Sequence, residues 1–239
     1  MSGSEREPAS GRVVVVVDGP SGSGKSSVGR AVAARLGYGF LSTGAAYRAL
    51  AWLAACRGTP LDDEAAIQAL LPEFLGGYRI ALDPAERWVR LGGTELGEAV
   101  DDTRVSAVVS RVARVPAVRA ALSDSFRATL FDAADGRDGM IAEGRDLTTI
   151  VAPDATVRIL LTADESVRIA RRAAQKTGED AAGVAASVSE RDRADARHTD
   201  FLNAAEGVAL VDSTHLDFEA TVAAVLERIA AATGPKEAS

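Results

Sequence analysis

Five consecutive valines, Val13 to Val17, run directly into "DGPSGSGKSS". A continuous β-branched run bounded by turn formers reads as a strand buried on both faces, the setting of a strand inside a parallel sheet. The loop that follows, Gly19, Pro20, Ser21, Gly22, Ser23, Gly24, Lys25, Ser26 and Ser27, satisfies G-x-x-x-x-G-K-[ST]. Beyond it, "SSVGRAVAARLG" places Val28, Val32 and Leu36 at helical spacing, and Gly37 supplies a stop. Strand, glycine loop and helix form the opening unit of an α/β fold.

The residue types in this loop suit phosphate. Glycines let the backbone wrap closely enough for successive N–H groups to point inward, and the helix N-terminus adds its positive end. Lys25 is placed to reach β- and γ-phosphates, and the Ser26 hydroxyl to ligand Mg²⁺. A glycine-rich turn that binds nothing is the plain alternative, and the flanking strand and helix weigh against it. A nucleoside triphosphate is therefore expected here. The loop alone does not separate a kinase from a GTPase, a motor or a nucleotide sensor. No guanine-reading N-K-x-D follows, and at 239 residues a small-molecule kinase fits best.

Further short apolar strands stand at "GMIAEG", "TVRILLTA" and "GVALVDST". Helical patterns over 117–134, 165–175 and 218–231 alternate with them, which predicts a P-loop NTPase-like, three-layer α/β/α fold around a parallel sheet. "YRIALD", "PAE" and "RWVRLGG" break that rhythm as a β-hairpin, so residues 61–109 read as an inserted subdomain. The expected organisation is a disordered, polar lead-in over 1–12, one domain over 13–232 and a fraying tail over 233–239. A net charge of −7 argues against a general nucleic-acid or membrane-surface binder. Arginines nevertheless cluster in "EGRD", "SVRIARRAAQK" and "SERDRADARH", as binding of small phosphorylated ligands requires, or as solvated helix faces also show. The single cysteine, Cys56, excludes an internal disulfide and a Cys-based zinc site, and suits a cytoplasmic protein.

The segments "DGPSGSGKSS", "LSTGAAYRAL", "SRVARVPAVRAAL", "IAEGRDLTTIVAPDA", "ILLTADESVRIARR" and "ERDRADAR" occur in the order seen in bacterial cytidylate kinases. From about residue 13 to residue 214 the chain resembles that family. The resemblance implies phosphoryl transfer from ATP to CMP or dCMP with Mg²⁺, small-molecule substrates rather than nucleic acid or membrane, and a monomer. It also implies roles by position. Lys25, Arg48, Arg145 and Arg191 surround the transferring phosphoryl, while Arg168 and Arg172 join the loop at ATP. Ser110, Arg119 and Asp146 read the cytosine. Thr43, Arg48, Arg145, Arg191, Asp195 and Arg197 hold the sugar and phosphate of CMP, and a lid spans 171–191. The chemistry agrees, since arginine forks pair two phosphate oxygens at once. Asp146 would accept from the cytosine amino group, whereas uracil presents a carbonyl there and leaves acceptor facing acceptor. No strong general base is needed, because the attacking CMP oxygen is already anionic. Asp18 is either an orienting group for Mg²⁺ or an arginine, or an ordinary turn aspartate.

Several positions depart from the family pattern. Ser42 stands where the family has aspartate, and Thr148 replaces a glycine expected to ease a tight backbone approach. The last arginine of the family's "R-D-x-x-D-S-x-R" falls on His198 or, after a one-residue deletion, on Arg197. The three base readers are all present. Two other readings stay open at this stage: a kinase for a modified cytidine nucleotide or another small acceptor, and an ATP-binding regulator without efficient transfer.

Overall fold

The computed structural model describes residues 12–100, 103–175 and 203–234. The valine run forms β1 (Val13–Asp18), and its neighbours explain why it lacks polar residues. Helix α1 (Lys25–Leu36) and β2 (Gly39–Ser42) follow, then α2 (Thr43–Cys56), α3 (Glu64–Gln68) and α4 (Leu71–Gly77). Next come β3 (Tyr78–Ile80), β4 (Val89–Leu91), β5 (Thr94–Glu95), α5 (Thr103–Ala113) and α6 (Pro116–Phe131). The chain continues through β6 (Gly139–Gly144), a π-helical turn at Leu147–Val151, β7 (Val157–Thr162), α7 (Glu165–Gln175), β8 (Ala209–Asp212) and α8 (Phe218–Thr233).

The five long-range strands pair in the order β2-β6-β1-β7-β8, all parallel, so β1 is central. Its alternate side chains serve two cores. Val14 and Val16 pack with Leu50 of α2 and Leu122 and Phe126 of α6. Val15 and Val17 face the other way, toward Val28 and Val32 of α1 and Val222, Val225 and Ile229 of α8. Both faces are apolar because both are covered, and each such valine contributes about 2 kcal/mol of burial. Gly29 lets α1 approach β2 closely, since a Cβ there would stand 2.8 Å from the Phe40 ring.

Residues 78–95 form a separate antiparallel sheet, β3-β4-β5. The hairpin expected from the sequence is present, with a third strand added through Gly92 and Gly93, whose φ angles of 56° and 84° suit a tight two-residue turn. The small sheet is tied to the main body. The Phe40 N–H donates to Leu82 O at 2.8 Å, and Arg30 of α1 donates to the carbonyls of Pro84 and Glu86. Arg12 is buried with its guanidinium on Asp135 at 3.2 Å, and α8 runs on to Thr233. Val109, expected to end an insert, lies inside α5, where it packs against α2 and α6.

Candidate nucleotide- and acceptor-binding site

The loop after β1 has the shape its glycines require. Gly19, Gly22 and Gly24 adopt φ of 153°, 77° and 94°. A Cβ on Gly19 would stand 2.1 Å from Leu161 O, and one on Gly22 would stand 2.5 Å from Arg168 O. Glycine is thus needed twice over, for conformation and for space. Gly24 caps α1 in the left-handed conformation with no side chain bonded to the first-turn amides, and that turn contains no acidic residue. First-turn N–H groups have no partner within the helix, and with the positive dipole end they are suited to anions. Lys25 is buried and its Nζ donates to Pro20 O at 2.7 Å, closing the loop on itself. The Ser23 hydroxyl is buried without a hydrogen-bond partner among the described residues, while Ser26 and Ser27 are exposed.

The strand register brings the other groups to the same edge. Asp18 is level with Gly144, and Ser42 with Glu143, so the C-terminal ends of β1, β2 and β6 lie side by side. Ligands of open α/β sheets bind at this edge. The Ser42 hydroxyl donates to Glu143 Oε1 at 2.6 Å, and the Thr43 hydroxyl donates to Glu143 O at 2.8 Å. Both side chains are buried. The replacement of the family's aspartate by Ser42 therefore leaves a single carboxylate, held by a hydroxyl, where two acids would face each other.

Asp18 accepts three hydrogen bonds, from the Leu147 N–H at 3.1 Å and from the Thr148 N–H and hydroxyl, each at 2.7 Å. Beside the two roles weighed for it, the geometry gives Asp18 a third: it caps the turn after β6. Thr148 is accommodated without strain, since no residue other than glycine among those described has a positive φ, and its hydroxyl supplies one of the three bonds. Burial pushes the Asp18 carboxyl from its ordinary 3.8 up to about 6, against those hydrogen bonds, and nearby Asp146 adds a smaller push. The folded protein thus keeps this proton between pH 3.8 and about 6, where the unfolded chain has lost it. Stability linked to Asp18 falls as pH rises through that window, by on the order of 3 kcal/mol in all. Urea unfolding of wild type and Asp18→Asn across this range should show the difference between them shrinking as pH rises. A constant difference would contradict the elevated Asp18 pKa.

One turn beyond β6, Asp146 accepts from Arg119 of α6 at 2.6 Å in a largely buried ion pair. Tyr47 of α2 stands close to both. Burial, with the Asp146 charge behind it, raises its phenol well above the usual range, and Arg119 opposes the shift. Its ring meets Phe126 edge-on at 6.2 Å between centroids. Arg48 folds back along α2, so a Cβ on Gly44 would lie 3.5 Å from its Nη1. Arg145 is half-buried between Gly144 and Asp146, and Ser110 is half-buried on α5, which packs against both α2 and α6.

Arg168 of α7 reaches the back of the glycine loop. It is buried, donating through Nη1 to Ser21 O at 2.8 Å and through Nε to Ala163 O at 3.1 Å, so it braces the glycine loop from behind. Arg171, placed at the mouth of the expected lid, donates to the Ser213 hydroxyl and to the carbonyls of Ser213 and Leu216. Both arginines point into the fold because α7 packs across the loop and the end of β8. Arg172 is half-buried on the same helix. Arg191, Asp195, Arg197 and His198 lie outside the described residues, as does most of the expected lid. Sequence reasoning missed Glu143, Tyr47 and the Thr148 hydroxyl. Glu143 sat inside the quoted "EGRD" segment, and only the β2–β6 register reveals its bond to Ser42.

A sequence model of the family described as cytidylate kinase matches residues 15–231, from inside β1 to the end of α8. The chain belongs to the cytidylate kinase family. Curated relatives match over nine tenths or more of both chains. The cytidylate kinase of Cutibacterium acnes is 42% identical over 224 residues, covering 91% of this chain and 96% of that protein. That of Rhodococcus jostii is 39% identical and covers 93% and 97%, and that of Streptomyces avermitilis is 36% identical and covers 90% and 91%. The loop, the Asp146–Arg119 pair and the Asp18 cap all lie within the matched span. No helix among the described residues is long and apolar enough to cross a membrane.

Proposed function

We propose that this cytidylate kinase family member transfers a phosphoryl group from ATP to CMP or dCMP, giving CDP or dCDP. The observation that carries the reading is the Asp146–Arg119 pair standing one turn beyond the strand next to the phosphate loop. A carboxylate and a guanidinium side by side offer an acceptor to the cytosine amino group and a donor to its ring nitrogen or carbonyl. With Ser110 they are the base readers. Arg48 and Arg145 clamp the acceptor phosphate, with Thr43 at the start of α2, and Arg191, Asp195 and Arg197 complete the sugar and phosphate contacts. Lys25 and the amides of Gly19 to Ser27 take the donor phosphates, with Arg172 beside them and Arg168 as the brace.

Hard oxygen donors suit Mg²⁺, and the exposed Ser26 hydroxyl beside the loop is the protein ligand that fits. Among the described residues no group of three or more acidic, histidine or cysteine side chains converges, so Mg²⁺ held here would rest mainly on phosphate oxygens. When bound, the ion neutralises charge on the donor phosphates. The chain's own part is positioning: the loop holds one phosphate, the arginines the other, and attack proceeds without a protein base.

The insert at 61–109 is the acceptor-side subdomain in this reading. Tyr78 from its sheet lies within electrostatic reach of Arg48, which opposes the upward shift that burial imposes on the phenol. Lid closure over 171–191, a monomeric state and a cytoplasmic location belong to the same proposal. The test is ADP release from Mg·ATP with CMP, dCMP, UMP, AMP, GMP and a 5-substituted CMP. Turnover with CMP or dCMP at least about a hundredfold above UMP is expected, the scale of discrimination a mispaired buried acceptor imposes. Faster turnover with the 5-substituted nucleotide would reassign the chain to a modified acceptor. ATP binding with no acceptor-dependent release would make it a regulator.

A further inference from the structure

An aspartate that begins a helical turn ordinarily bonds its own side chain to the amides two or three residues ahead, because those N–H groups have no partner within the helix. Asp146 occupies that position for the turn Leu147–Val151. Its carbonyl accepts from Ile150 and Val151, as a capping residue's should. Its side chain makes no capping bond. The first amide it would serve, that of Thr148, donates instead to Asp18, as does the Leu147 N–H; Asp18 arrives from the neighbouring strand 130 and 129 positions away in sequence. The carboxylate of Asp146 is turned to Arg119.

We propose that Asp18 is a positioning residue for base selection: by capping this turn from across the sheet, it keeps the Asp146 carboxylate on Arg119 and in line with the acceptor base. The inference rests on the acceptor reading above, and it extends that reading to a residue that touches neither substrate. The competition is a physical one. Two unpaired buried amides attract the nearest carboxylate, and Asp146 can reach that of Thr148 by rotating about its own side-chain bonds. Asp18 removes the attraction by satisfying both amides, and the Thr148 hydroxyl adds a third bond that holds Asp18 in place. Thr148, which stands where the family has glycine, is thus part of the device in this chain. The same capping bonds tie the residue before Gly19 to the segment carrying Arg145 and Asp146, so the donor loop and the acceptor-reading turn keep a fixed relation.

The test uses Asp18→Asn, which keeps the shape but can accept at only one of its two terminal atoms. With the full-length protein, the ratio of kcat/KM for CMP to that for UMP should fall about tenfold, as expected when a charged hydrogen bond is misplaced. Thr148→Val should lower the ratio by less, and Thr148→Ser should restore it. Asp18→Asn combined with Asp146→Asn should give a ratio no lower than Asp146→Asn alone, because the first change acts only through the second residue. Equal slowing of CMP and UMP in Asp18→Asn, with the ratio unchanged, would make Asp18 a purely structural cap and overturn the proposal. A crystal structure of Asp18→Asn decides the matter independently of any acceptor. Asp146 rotated onto the Thr148 amide supports the proposal; Asp146 still on Arg119 overturns it, even if the wild-type enzyme prefers an acceptor other than CMP.

Discussion

Lys25→Ala is expected to lower kcat by about a thousandfold or more with every acceptor, since removing one preorganised charge from a transferring phosphoryl costs several kcal/mol. The geometry makes the effect double. Nζ donates to Pro20 O at 2.7 Å and so helps to hold the loop closed before any nucleotide arrives. It is also the only cation of the loop itself, and in the proposed reading it meets the charge that builds on the oxygens between donor and acceptor. Alanine removes both the latch and the charge. Lys25→Met keeps the apolar stem and should be nearly as inactive, which separates charge from packing. The check is ADP release under saturating ATP and CMP, with nucleotide binding followed separately by calorimetry. Turnover within about tenfold of wild type would mean the loop does not carry the donor phosphates.

Asp146→Asn should cost about a hundredfold in kcat/KM for CMP while leaving the KM for ATP within about threefold. The amide cannot offer the cytosine amino group two acceptor oxygens, and its own NH₂ would face a donor. It also withdraws the charge that Arg119 pairs with at 2.6 Å, leaving a half-buried guanidinium without its carboxylate. Removing one partner of such a pair is more damaging than the pair's net contribution suggests. UMP, which presents a carbonyl at the amino position, should lose little and can even gain. A parallel loss for CMP, UMP and ATP would place Asp146 among structural residues. A thermal melt of the variant distinguishes that outcome from a specific one, because a merely destabilised enzyme keeps its acceptor preference and recovers its activity at lower temperature.

Much of this molecule is written in local pattern. The valine run reads as a strand covered on both faces, the three loop glycines suit a tight phosphate-type turn, and Gly37 stops α1 where expected, in the left-handed conformation at φ 69°. The strands at "GMIAEG", "TVRILLTA" and "GVALVDST" and the helix at 165–175 are legible for the same reason: hydrophobic periodicity and turn residues act over a few positions, and the sheet rewards them where they fall. Arg119 and Asp146 could be named together from motif resemblance, though nothing in the 26 intervening residues says that they touch.

The sequence by itself determined the α/β fold and the phosphate loop, because both follow from contacts within one strand–loop–helix unit. Tertiary structure alone decided which groups at the sheet edge bond to one another. Parallel pairing brings Asp18 level with Gly144 and Ser42 level with Glu143, across more than a hundred residues. That register makes Asp18 a cap, turns Thr148 from a lost glycine into a hydrogen-bond donor, and leaves Glu143 as the carboxylate Ser42 holds. Side-chain direction does the same for the arginines on α7. An arginine cluster in sequence fits a phosphate clamp and a brace equally well, and only the packing of α7 over the loop turns Arg168 onto Ser21 O and Arg171 onto Ser213. Local propensity has no access to such choices, since each depends on which distant backbone carbonyl or amide arrives within hydrogen-bonding distance.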